Sequence, residues 1–308
     1  MMKKKGGFLS DVRKHKVYYI MILPMIIYFA LFCYLPMSGI YMAFVRYDFK
    51  AGLFNSQFVG LDNFKFLFSS GKIWQLIGNT LFYNILFIGF GMITKIAVAI
   101  MLKEITVKKY VRVTQTMMFM PYFVSMVIVS TIVYNILSPE YGMLNVLLEN
   151  IGLKTIDVYR MPQAWPVIMT IVDVWKGLGY GVVIYLAALL SMDEEIYEAA
   201  YIDGANRWKR IRYVTLPLLK PTAMVLLLMN IGHILKGQFD LFYQLVGNNG
   251  QLFKATDIID TYVYRSISQS PNYEMGSAAG LFQSVVGLGL ILSVNALLRR
   301  WDPENALF

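Results

Sequence analysis

The sequence predicts an all-α polytopic membrane protein with six transmembrane helices and both termini in the cytoplasm, forming a single domain over residues 1–308. Three observations lead there. Of the 308 residues, 57% are hydrophobic and only 15% charged, and mean hydropathy is +0.53. A soluble chain of this length cannot cover that much apolar surface, so lipid must solvate a large part of it. Six apolar runs are long enough to span a bilayer, which takes ~20 residues; they lie at about 17–44, 76–101, 112–137, 165–190, 217–245 and 275–298. Lys and Arg are also shared unevenly between the segments joining them. Seventeen fall at the two ends and in residues 103–112 and 191–220, against eight in the alternate segments, and the richer side is expected inside.

The first run follows Lys3, Lys4, Lys5, Arg13, Lys14 and Lys16. It is too long for a signal peptide and lacks a small-x-small cleavage site, so it reads as an uncleaved anchor. Pro24, Pro36 and Pro121 inside spans predict kinks, tolerable where neighbouring helices pair the freed carbonyls. Residues 142–151 place Met143, Leu144, Leu147, Leu148 and Ile151 at helical spacing, as in a short amphipathic helix on the outer interface. Tyr134, Tyr141, Tyr159, Trp165, Tyr262, Tyr264 and Tyr273 read mainly as an interfacial aromatic belt. No internal repeat of the kind that builds many secondary transporters is found.

The composition excludes several chemistries. One cysteine, Cys33, allows no internal disulfide, and with only His15 and His233 beside it no metal site is expected. The net charge of +9 comes from basic residues clustered at helix ends, so it sets orientation in the membrane and does not imply nucleic acid. No G-x-x-x-x-G-K-[ST] sequence occurs, hence no phosphate cradle. No cofactor is expected on this chain, and any ATP energy must arrive through a partner.

The most informative stretch is Glu198 to Pro217, EAAYIDGANRWKRIRYVTLP, within a polar loop 191–217 between the fourth and fifth runs. Ser191 and Glu194 fit a capping box that starts a helix near Met192. Acidic Asp193, Glu194 and Glu195 suit its first turn. Glycine at 204 suits its stop. A second short helix is expected from Ala205 to about Tyr213, carrying Arg207, Lys209, Arg210 and Arg212. Charge alone fits a solvated basic loop. The small residues fit an elbow that approaches a partner closely.

Residue by residue, this stretch resembles the EAA motif of ATP-binding-cassette importer permeases: EAA, two residues, DGA, then LP. Glu198, Ala199, Ala200, Asp203, Gly204, Ala205, Leu216 and Pro217 match in type and spacing. Ile211 stands where the family usually has phenylalanine, and Asp193 where it often has proline. Phe58 to Phe64, Asn79-Thr80-Leu81, Tyr141 to Asn145, Trp175-Lys176 and Leu186 to Leu189 are similar to the carbohydrate-uptake branch, with complex-oligosaccharide permeases of the aldouronate type the nearest likeness. The resemblance implies a multi-pass permease subunit in a bacterial cell membrane. It also implies a second homologous permease chain, two cytoplasmic ATPase subunits holding ATP and Mg, an extracytoplasmic solute-binding protein and a carbohydrate cargo. The loop would be the coupling helix seated in the ATPase, with Glu198 and Gly204 central to the contact.

If the fifth run is one helix, Asn230, His233, Lys236, Gly237, Asp240 and Gln244 share one face. Two roles fit this arc: a wall of the translocation path, or a Lys236–Asp240 pair bracing the bundle. Asp173 and Lys176, three residues apart on the fourth run, pose the same choice. Gly276, Gly280, Gln283, Ser284 and Gly287 share a face suited to close packing, with Gln283 also a candidate for the path. The intramembrane charges keep an ion-coupled secondary carrier open as a rival reading. Another solute remains open within the permease reading, whereas no catalytic set supports an enzyme.

Overall fold

The computed structural model describes residues 14–301 apart from 270. The basic start through Arg13 and the last seven residues lie outside the described residues. The first apolar run forms α1 (Lys16–Phe29) and continues without a break, tightening from a π turn at Ala30–Tyr34 into 3₁₀ geometry at Leu35–Phe44. Pro24 and Pro36 are carried inside this run. A two-residue ribbon, β1 (Val45–Arg46) against β2 (Gln57–Phe58), closes the following loop. Asn63, at the start of α2 (Asp62–Ser69), donates to the carbonyls of Ala43 and Val45 and ties that loop down.

The second run becomes α3 (Lys72–Lys103), 32 residues long. At 1.5 Å per residue this exceeds the hydrocarbon core, and Lys103 in its last turn complements the helix dipole. The third run is two helices, α4 (Lys108–Phe123) and α5 (Met126–Leu137), bent by 98° at Val124-Ser125. Pro121 announces this break. The Lys176 ammonium, from the next span, satisfies the freed backbone by donating to the carbonyls of Pro121 (3.3 Å), Tyr122 (3.1 Å) and Val124 (2.5 Å). Counting this pair as one span gives six, and otherwise five.

The amphipathic segment folds as α6 (Met143–Asn150) with Met143, Leu147 and Ile151 outward. Its buried residue is polar: Asn145 bonds both the amide and the carbonyl of Ile156 at 2.9 Å. The fourth run is α7 (Trp165–Leu190), which packs along α3 more extensively than any other pair. Trp165 is fully buried and donates to the Val158 carbonyl at 3.1 Å, so it belongs to the core and not to an interfacial belt.

The fifth run departs most from expectation. After α8 (Glu194–Ile202) and α9 (Arg207–Arg210), the chain passes through a π turn at Ile211–Thr215 straight into α10 (Leu216–Ile231). The span is therefore 207–231 and not 217–245. Pro217 has no N–H to return, and the widened turn lies immediately before it. The chain then leaves helical geometry over 232–238 and resumes as α11 (Phe239–Val246), α12 (Phe253–Thr256) and α13 (Ile259–Ser268) before the sixth span, α14 (Tyr273–Trp301).

Three apolar clusters hold the helices. Tyr83, Phe87, Val133, Met169, Leu241 and Phe242 join α3, α5, α7 and α11; Ala99, Leu102, Val182, Leu189 and Leu219 join α3, α7 and α10. A smaller group of Leu67, Ile73, Met275 and Ala279 links α2, α3 and α14. Beyond them, Asp257 is fully buried and bonded to Lys72 (3.0 Å) and Arg265 (2.5 Å), fixing the start of α3 to the 253–265 segment. A buried charge held this way is costly to unpair.

Candidate functional site

The loop 191–217 folds as a sharp elbow. Its first cap is Asp193, whose carboxylate accepts from the Glu195 amide at 3.0 Å. The expected Ser191 capping box does not form, because the Ser191 hydroxyl turns back to the Ala188 carbonyl at the end of α7 (2.8 Å). At the other end of α8, the Ala205 amide reaches the Ala200 carbonyl and the Gly204 amide the Tyr201 carbonyl, both at 3.0 Å. This Schellman stop needs a left-handed residue, and Gly204 sits at φ +76°. Asn206 then caps the next helix by accepting from the Lys209 amide at 2.9 Å, so that helix begins at Arg207 rather than Ala205 and runs on into the fifth span.

Glu198, Ala199, Asp203 and Gly204 are exposed, and Ala200 and Ala205 half-buried, along the elbow's tip. Around them Ile202 and Trp208 are 83% and 79% exposed, and Tyr201 69%. A charged loop does not ordinarily present such side chains to water, so this is an apolar patch with an acidic helix on one side and a basic one on the other. The elbow is braced against the end of α3: the Lys103 ammonium lies 3.7 Å over the Tyr197 ring, and Arg207 pairs with Glu104 at 3.4 Å. Tyr197 also meets the Thr215 hydroxyl at 3.3 Å.

The second feature surrounds the break at 232–238. A cavity of about 460 Å³ lies between α3, α7 and α10, lined by Asn84, Lys95, Asp173, Asn230, His233, Lys236 and Gln238 among others. A neighbouring cavity contains Asp173, Lys176, Gln238 and Asp240, and a third contains Lys236, Asp260 and Gln283. Of the predicted path residues, Asn230, His233 and Lys236 thus share one cavity, while Asp240 and Gln283 lie in adjoining ones. The single polar arc does not exist, since the helix ends before His233.

The expected ion pairs are absent too. Among the described residues Lys236 and Asp240 form no pair, and Asp173 accepts from Gln238 (2.6 Å) while Lys176 donates to carbonyls at the end of α4 and at Val124. Gln283 donates to the Leu235 carbonyl at 2.7 Å and to Asp260 at 3.1 Å, and Asp260 also accepts from the Gly237 amide at 2.7 Å. Gln283 and Asp260 therefore hold the broken segment from the α13 and α14 side. Of the small residues beside Gln283, a Cβ added at Gly276 would lie 2.9 Å from Ile267, whereas one at Gly280 or Gly287 would meet no atom within 4 Å.

Residues 88–305 match the family model described as the binding-protein-dependent transport system inner membrane component. This chain belongs to that family. Protein LplB of Bacillus subtilis is 33% identical over 97% of this chain and 93% of its own length. The polygalacturonan/rhamnogalacturonan transport system permease protein YteP of the same organism is 32% identical over 98% and 94%. Among solved structures, a bacterial alginate ABC transporter in complex with an alginate pentasaccharide-bound periplasmic protein contains a chain 36% identical to this one. The two superpose with TM-score 0.84 over 95% and 97% of their lengths. The chain is accordingly a multi-pass, inner-membrane transport component of the ABC importer class.

Against that membership, Asp260, Gln238 and Lys95 are the site residues that pattern reading did not single out. The first two lie near the span 5 break, which hydropathy does not show. Lys95 had one signal, a charge at the centre of an apolar helix.

Proposed function

We propose that this chain is the membrane-spanning subunit of an ATP-driven importer that carries an oligosaccharide into a bacterial cell. The observation that carries this reading is the elbow: a rigidly capped, small-residue tip with an exposed apolar patch, formed by the segment that resembles the EAA motif. Glu198, Ala199, Ala200, Asp203, Gly204 and Ala205 would seat in a groove of a separate ATPase subunit, with Ile202 and Trp208 supplying apolar contact. Two such ATPases, holding ATP and Mg, would act on this chain and on a second homologous permease chain. An extracytoplasmic binding protein would deliver the sugar, a role supported by the periplasmic protein in the alginate transporter complex.

Motion at the elbow has two covalent outlets. It continues directly into α7 on one side and α10 on the other. The bracing of Lys103 and Glu104 adds α3 as a third. These three helices surround the cavity, so a push at the tip would change the walls of the path. Asn230, His233, Lys236, Asp240 and Gln283 offer hydrogen bonds along it, the kind of lining that sugar hydroxyls require. No bond of the cargo is made or broken.

The test uses the full complex in vesicles. Replacing Glu198 or Gly204 is expected to leave the chain inserted and ATP hydrolysis measurable while uptake falls. Normal uptake in both variants would refute the docking role. An ion-coupled carrier would instead follow a proton or sodium gradient and survive removal of the ATPase.

A further inference from the structure

The two ends of the elbow are attached unequally. On the α10 side the chain stays helical from Arg207 through the π turn to Ile231, so displacement passes along it directly. On the α7 side residues 191–193 are non-helical, and α8 begins only at Glu194. A short link of this kind can absorb a push in its own φ/ψ angles before α7 moves. α7 in turn packs along α3 more extensively than any other pair, so these two helices form one body and α10 faces it across the 460 Å³ cavity. The jointed side transmits only as far as side-chain contacts stiffen it.

Tyr197 makes the best-shielded of these contacts. It is half-buried, while Glu198, Tyr201 and Ile202 beside it are exposed. The Lys103 ammonium, at the end of α3, lies 3.7 Å over its ring, is shielded from solvent and has no hydrogen-bond acceptor among the described residues. A cation against an aromatic face is held more strongly as water is excluded. The far end of the ring is tied too: its hydroxyl meets the hydroxyl of buried Thr215, the last residue of the π turn, at 3.3 Å. The neighbouring Arg207–Glu104 pair is a weaker brace. It is 3.4 Å long with side chains 60% and 36% exposed, where solvent and salt screen it. Met192 and Ile211 pack against the cluster containing Ala99 and Leu102, but apolar contact is non-directional and permits sliding.

We propose that Tyr197 is the positioning residue that makes α8 part of the α3–α7 body, so that a push on the elbow's tip moves both sides of the cavity instead of flexing the 191–193 link. The inference rests on the importer reading above. The ring face on Lys103 carries the load, and the hydroxyl on Thr215 keeps the ring in place.

The experiment measures spin-label distances in the whole complex, in the Cys33→Ser background, without nucleotide and after trapping the ATPase subunits with ATP, Mg and vanadate. Ile202→Cys with Ile93→Cys reports the elbow against α3; Ile93→Cys with Val225→Cys reports α3 against α10. In wild type the first distance is expected to stay constant on trapping while the second changes. In Tyr197→Leu and in Lys103→Met the first should shift or broaden and the second should lose its change, with ATP hydrolysis continuing. Tyr197→Phe and Lys103→Arg keep the ring and the cation, and both should behave as wild type. Wild-type behaviour of both distances in Tyr197→Leu and Lys103→Met would overturn the proposal, and so would a first distance that already changes in wild type. Loss of assembly in both of those variants would also overturn it, since the contact would then serve folding alone. A wild-type complex whose second distance ignores trapping, or a chain that binds no ATPase, would instead remove the importer reading itself.

Discussion

Where the third span turns by 98°, the carbonyls of Pro121, Tyr122 and Val124 converge on the Lys176 ammonium. In lipid these groups have no water to turn to, so their partner is part of what permits the bend. Lys176→Met is therefore expected to destabilise the detergent-solubilised protein by about 1–3 kcal/mol, seen as a lower Tm, with partial recovery in Lys176→Arg. An unchanged Tm in Lys176→Met would show that the carbonyls find other donors. Pro121 made the kink legible in the sequence. Its clamp was not, because the acceptors are backbone atoms more than fifty positions away and leave no residue-type trace.

The elements divide into those whose local chemistry agrees with the fold and those that tertiary contacts override. The elbow is of the first kind. Asp193, Gly204 and Asn206 each perform a capping role that their residue type suits, so its turn was readable, although the first cap moved by two residues from Ser191 to Asp193. Gly204→Ala forces a non-glycine residue to φ +76°, costing on the order of 1 kcal/mol or more. Amide hydrogen exchange at residues 203–205 should accelerate in that variant, while exchange in α7 and α10 stays as in wild type. Uniform acceleration would mean that the stop is not a local device.

Span 5 is of the second kind. Apolar periodicity runs through residue 245, and a helical wheel drawn over it joins residues that the structure places in three cavities. The Gln283 and Asp260 bonds to the Leu235 carbonyl and Gly237 amide hold the break at 232–238 from the α13 and α14 side, alongside turn bonds from the His233, Ile234 and Lys236 amides. Gln283→Leu and Asp260→Ala are each expected to raise KM for the transported sugar several-fold, because the segment presenting His233, Lys236 and Gln238 loses its support. If KM stays at the wild-type value in both, the segment is held by other means.

At the scale of the molecule, the elbow and the cavity are joined by the same three helices. α3, α7 and α10 surround the 460 Å³ cavity, and all three end at the elbow or against it. Six apolar runs made the membrane-spanning helical architecture legible in the sequence. The mechanical connection was not, since Lys103 over Tyr197 and Glu104 beside Arg207 are contacts between distant loops. The first span shows the complementary point: none of residues 16–34 is buried against the described residues, which leaves its apolar side chains open to the bilayer.

The most direct test of the account is accessibility at the elbow's tip. With Cys33→Ser removing the native thiol, Ile202→Cys provides a single, well-exposed reporter. A membrane-impermeant maleimide should label it in inside-out vesicles and not in intact cells, and labelling should fall when the ATPase subunit is bound. Labelling from outside the cell, or labelling indifferent to the ATPase, would contradict a cytoplasmic lever driven by a separate nucleotide-hydrolysing subunit.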